Sequence, residues 1–135
     1  MRLLARSIAI AGLGAVSVAG VAAPAHALPI SPTTHADIIC GSPIGPGPAG
    51  QPTITIKTWG TLYPADTAIL VDESVTHDSV PLTTTRSTLK TDADGSWSLS
   101  KTAVVTPSGL YEYFVTVTDA SGKTVFGKAY DACKF

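Results

Sequence analysis

In LYEYFVTVTD (110–119) every second residue is large and apolar: Tyr111, Tyr113, Val115 and Val117 share one face, leaving Glu112, Phe114, Thr116 and Thr118 on the other. A period of two is the signature of a β-strand with one buried face. The same period runs through PTITIKTW (52–59), where Ile54 and Ile56 oppose Thr53, Thr55 and Lys57. In TAILVDE (67–73), Ile69 and Val71 oppose Ala68 and Leu70, and in SWSLS (96–100) Trp97 and Leu99 alternate with serine. No window beyond residue 27 carries a helical period.

Turn signals separate these runs. Gly60 to Asp66 divides the first two, and SVTHDSVPL (74–82), with its proline and no sustained period, reads as a loop before a polar edge strand, TTTRSTLKT (83–91). Asp92, Asp94 and Gly95 supply the next turn, because aspartate bonds backbone two residues on and glycine accepts positive φ. Pro107-Ser108-Gly109 and Asp119-Ala120-Ser121-Gly122 are two more, the latter leading into the last strand, KTVFGKAYDAC. Six or seven short strands predict an all-β antiparallel sandwich. Two sheets are required, since a single one would leave its apolar face wet.

The N-terminus predicts export. Arg2 and Arg6 form a charged head, Ala9 to Ala23 an apolar stretch, and Ala25-His26-Ala27 a small-residue cleavage site, the layout of a secretory signal peptide over 1–27. Cleavage would leave about 108 residues, one domain with one core. It would remove two of the nine basic residues and none of the ten acidic ones, so the remainder carries −3 with histidine neutral. That balance argues against a nucleic-acid partner, and neither a lipidation cysteine nor a second apolar segment predicts a membrane anchor. There is no asparagine, hence no N-glycosylation sequon.

Residues 28–50 form a Pro/Gly-rich lead in which only Ala36 to Cys40 looks able to pair, ahead of a domain at 51–135. Cys40 and Cys133 are the only cysteines, and an exported chain predicts a disulfide between them. Closing a loop of about 94 residues removes roughly 4–5 kcal/mol of denatured-state entropy.

Candidate sites are few. Asp92 and Asp94 could open a calcium loop, but Gly95, Ser96 and Ala103 stand where the EF-hand pattern needs other residues, which leaves a turn, with a looser calcium site shared with Asp119 as the alternative. No metal or other cofactor is expected. Asp72 and Glu73 point to opposite faces and read as a solvated strand end. His35 and His77 read as exposed, and no hydrolase or metalloprotease motif accompanies them. Trp59, Trp97, Tyr111 and Tyr113 are assigned to the core rather than to a carbohydrate platform. Phe114, opposite the tyrosines, marks a contact patch if its face is solvent, and His77 in the 74–82 segment is a second candidate contact. The alternation leaves the direction of Phe126 open.

ITIKTWGTLYPADTAILV, KTDADGSWSLS and PSGLYEYFVTVTDASGKTV together resemble the bacterial immunoglobulin-like domains of secreted and surface proteins, over about residues 52–128. The shared positions are Asp92, Gly95 and Trp97, then Gly109 and Tyr111, then Asp119 and Gly122. The resemblance implies an immunoglobulin-like sandwich of about seven strands and specifies fold more than task. The cysteines depart from the antibody pattern, since Cys133 is two residues from the end and lacks a tyrosine two before it. A weaker resemblance, in size, export and the TDADGSWSLS and VTDASGK turns, is to the neocarzinostatin-family apoproteins, which hold a chromophore in a cleft. Their two local disulfides are missing here. The expected function is a secreted, non-enzymatic binding module for a macromolecule or cell-envelope component. The alternatives are a small-molecule carrier and a secreted inhibitor presenting the 74–82 segment.

Overall fold

The computed structural model describes residues 31–41 and 51–135; the expected signal peptide and the SPIGPGPAG run after Gly41 lie outside the described residues. Seven strands follow in order: β1 (Thr33–Gly41), β2 (Thr53–Thr61), β3 (Ala68–His77), β4 (Val80–Lys90), β5 (Trp97–Val104), β6 (Leu110–Asp119) and β7 (Val125–Lys134). All pairings are antiparallel, and there is no helix among the described residues. One sheet runs β1-β2-β5 and the other β4-β3-β6-β7. Their facing residues make one core, so the all-β, two-sheet architecture read from the period of two is the one observed.

The core follows the alternation closely. Ile69, Val71, Val117 and Tyr113 are fully buried, with Tyr111, Val115 and Val75 beside them from the four-stranded sheet. Ile38, Ile54 and Trp97 close over them from the other. Each such aliphatic side chain contributes about 1.5–3 kcal/mol by leaving water.

Two expectations change. The lead supplies more than a short pairable run: β1 spans nine residues and pairs along the whole of β2, from Thr33 opposite Thr61 to Gly41 opposite Thr53. Its inner face carries Ile38, which is why the compact unit begins at Ser31 and not near residue 51.

The 74–82 segment is not a loop. β3 continues to His77, turns on Asp78 and Ser79, and returns as β4 from Val80. Both turn residues have positive φ, 48° and 69°, the backbone of a two-residue type I′ hairpin whose twist matches the flanking strands. Aspartate tolerates that region, and Asp78 is held there by bonds in both directions with Leu110: its N–H donates to Leu110 O, and its Oδ1 accepts from Leu110 N, each at 2.9 Å. Pro81 is accommodated because β4 is an edge strand, where a missing N–H need not break a ladder. The expected edge position of TTTRSTLKT is therefore observed, as part of a longer strand.

Phe126 acquires a direction through a bulge. Val117 pairs with Gly127 and Thr118 with Val125, so Phe126 is the extra residue of β7. It turns inward to meet Tyr63 edge-on at 5.7 Å.

The turn at 91–96 crosses between sheets. Asp92 N–H donates to Ser96 O, Gly95 N–H donates to Asp92 O, and Gly95 has φ 79°. A Cβ at Gly95 would lie 2.2 Å from Tyr63 O, so close approach to the 62–67 loop requires glycine as much as the φ does. Tyr63 N–H donates to Gly95 O and Thr91 Oγ1 donates to Pro64 O, which joins the crossover to that loop.

Candidate functional site

The sandwich has two long sides. On one, β1 lies beside β7 and Cys40 is bonded to Cys133, with Cα atoms 5.6 Å apart. The predicted disulfide is thus present, and Asp131 Oδ2 adds a 3.0 Å bond from Ile38 N–H across the same seam. On the other side, the edge strands β4 and β5 leave a cleft of about 360 Å³ between the sheets. Ile54, Ile56, Val75, Leu82 and Val105 give it apolar walls. Threonines 83 and 85 add hydroxyls near its edges.

Glu73 also lines this cleft, and here the expectation of a solvated strand end is corrected. It is 3% exposed, on the same face of β3 as Ile69, Val71 and Val75. Its Oε1 accepts from Tyr113 Oη and its Oε2 from Lys101 Nζ, each at 2.5 Å. A carboxylate out of water is tolerable only with such partners. Lys101 reaches it from β5 because Trp97, Leu99 and Lys101 share the inward phase, Lys101 sitting opposite Ile56. The side chains differ in access: that of Lys101 is 41% exposed, that of Glu73 4%. Burial, then the adjacent carboxylate, pushes the Tyr113 phenol far above its ordinary value.

Asp72, one residue earlier, does face outward. Arg86 Nε and Nη2 donate to its two carboxylate oxygens at 2.6 and 2.9 Å, which holds the Asp72 carboxyl below its ordinary range.

The remaining candidates divide. Asp92, Asp94 and Asp119 are turn residues: Asp94 Oδ1 accepts from Ser96 N–H and Oγ, and Asp119 Oδ1 accepts from Ser121 N–H and Oγ and from Lys123 N–H. These hydroxyl and amide donors depress both carboxyls. No group of three or more His, Cys, Asp or Glu able to hold a metal ion occurs among the described residues, so the three aspartates do not converge on the shared calcium site considered above.

Trp97, Tyr111 and Tyr113 belong to the core, but Trp59 does not. It lies on the outer face of β2, 38% exposed and stacked on its cross-strand neighbour His35 with ring centroids 5.1 Å apart. His35 is exposed as expected; His77 is packed instead, stacked on Tyr111 at 4.3 Å with Nε2 2.6 Å from Ser108 O. Phe114 is 41% exposed on the outer face of the four-stranded sheet, 4.9 Å from the ring of Tyr130.

Of the residues lining the cleft, sequence reasoning misread Glu73 as a solvated strand end and passed over Lys101. The signal was present, because each is a charge in the apolar phase of its strand. What was lacking was the pairing that brings β3 under β5. No family model matches the chain, and no curated protein matches it.

Proposed function

We propose that this chain is a secreted binding module of immunoglobulin-like architecture, acting without catalysis, whose ligand is a small, largely apolar molecule held in the β4–β5 cleft. The cleft itself carries this reading: an apolar space of about 360 Å³ between two sheets, with an ion pair in its wall, has the composition of a small-molecule site. It favours the carrier reading over the inhibitor reading, which presented 74–82 as a loop where the chain forms a tight hairpin.

Architecture supports the immunoglobulin-like part. Three strands face four in the order β1-β2-β5 and β4-β3-β6-β7, with connections crossing between sheets. Tyr111, near the start of β6, donates its hydroxyl to Thr106 O, five residues upstream, at 2.8 Å. A tyrosine bonded back to upstream backbone at this corner is a hallmark of immunoglobulin-type sandwiches. Export is supported by the signal-like N-terminus together with the disulfide.

Titration of the exported protein with the neutral fluorophore N-phenyl-1-naphthylamine tests the site. Saturable enhancement in the wild type, lost in Ala103→Trp, is the expected result. Ala103 is exposed and lines the cleft, so tryptophan there fills the space without disturbing the core. Enhancement that survives Ala103→Trp removes the cleft from consideration.

A second reading rests on the exposed Phe114–Tyr130 pair, which with Lys128 borders a shallow depression on the outer face and suits a macromolecular contact. Under that reading Phe114→Ser abolishes capture of the partner and Ala103→Trp does not.

A further inference from the structure

We infer that the cleft selects amphipathic ammonium ligands, whose charged head replaces Lys101 on the buried Glu73 carboxylate while the apolar body occupies the space between β4 and β5. This rests on the reading of the cleft as a ligand site and adds the class of ligand to it.

The argument starts from a cost. Replacing a buried ion pair by well-packed apolar residues is often neutral or stabilising, so packing alone gives little reason for Glu73 between Val71 and Val75. Its two partners are held very differently. Tyr113 is fully buried on β6, an interior strand, and its hydroxyl fixes one carboxylate oxygen. Lys101 comes from β5, an edge strand, on a flexible four-carbon stem that is already 41% exposed. One partner is built in and the other can leave. When Lys101 swings into solvent, Glu73 Oε2 becomes a charged acceptor in the wall of an apolar cleft.

Charge then sorts the occupants. A ligand ammonium restores the pairing at Glu73 one for one, and Lys101 recovers full hydration at the surface. A ligand carboxylate would place two negative groups on a single ammonium in a poorly solvated site, which is repulsive at that range. A neutral ligand gains the apolar contact but must leave the pair as it is. The described residues carry seven basic and ten acidic side chains, so the surrounding field also favours a cation.

The experiment is calorimetric titration of the exported protein with hexylammonium, hexanol and hexanoate. Hexylammonium is expected to bind at least tenfold tighter than hexanol, with hexanoate the weakest. In Lys101→Met the competitor is gone, so hexylammonium tightens by at least a further tenfold while hexanol changes less than twofold. Glu73→Gln erases the preference for the ammonium. Should Glu73→Gln fail to fold, Lys101→Met decides alone, because it retains the carboxylate and its Tyr113 bond. Equal binding of hexylammonium and hexanol, both lost in Ala103→Trp, would overturn the charge selection and leave the cleft reading standing; tighter binding of hexanoate would do the same. No binding of any of the three to the wild type or to Lys101→Met overturns both.

Discussion

Where β1 meets β7, the sheets are joined by the Cys40–Cys133 bond and by Ile38 N–H to Asp131; where β4 faces β5, they are joined through Lys101 and Glu73 across a cleft. A covalent cross-link acts on the unfolded chain and cannot be exchanged in an oxidising milieu. An ion pair with one half-exposed member can open without unfolding anything else. Under the proposed reading of the cleft, closure of the sandwich and access to its interior are assigned to opposite sides.

The largest test of that contrast is removal of the cross-link. Cys40→Ser with Cys133→Ser is expected to lower unfolding free energy by about 4–5 kcal/mol in urea titrations, the cost of freeing a loop of this length. A loss below 1 kcal/mol would mean that the closed side is held by packing alone. On the open side, Lys101→Met leaves Glu73 without its cation. Breaking a buried pair costs about 3–5 kcal/mol, and since Lys101 is half-exposed we expect about 2 kcal/mol, recovered when hexylammonium is added.

Tyr113→Phe sharpens the same side. It removes a bond to a buried carboxylate, at about 1–3 kcal/mol near neutrality. It also alters the alkaline limb. The folded phenol keeps its proton where the unfolded one, with an ordinary value of 10.0, loses it, so this contribution is complete below about pH 10 and falls as pH rises beyond it. Stability measured from pH 9 to 11 should decline less steeply in Tyr113→Phe; some slope remains, because burial raises the Tyr63 phenol too. On the closed side, Asp131→Ala deletes only the acceptor for Ile38 N–H and is expected to cost about 1 kcal/mol.

The smallest effect lies at neither side. Asp119 is depressed by the Ser121 hydroxyl first, so its turn stabilises the fold above the ordinary aspartate value of 3.8 and loses that contribution as pH falls toward the lowered folded value. Asp119→Asn should flatten the acid limb below pH 4 and leave the cleft titrations unchanged.

How much of this was legible can be read residue by residue. Alternation in β6 assigned Tyr111, Tyr113, Val115 and Val117 to the core, and the signal-like N-terminus with two cysteines predicted the disulfide. The same alternation was less informative at β3 and β4, where Asp78-Ser79 formed a tight turn without glycine and Pro81 looked like a breaker. Trp59 followed its strand phase outward although its size suggested the core.

By itself the sequence determined the fold class, the buried face of β6, the turns at Gly95, Gly109 and Gly122 and the pairing of the cysteines, because these depend on local backbone chemistry and on there being only one possible partner. The tertiary structure alone decided that Glu73 lies under Lys101 beside a cleft and that Phe126 turns inward at a bulge. Those facts depend on which strands become neighbours across two sheets, and the contacts joining residues 28 positions apart in Glu73 and Lys101 exist only once the sheets have packed.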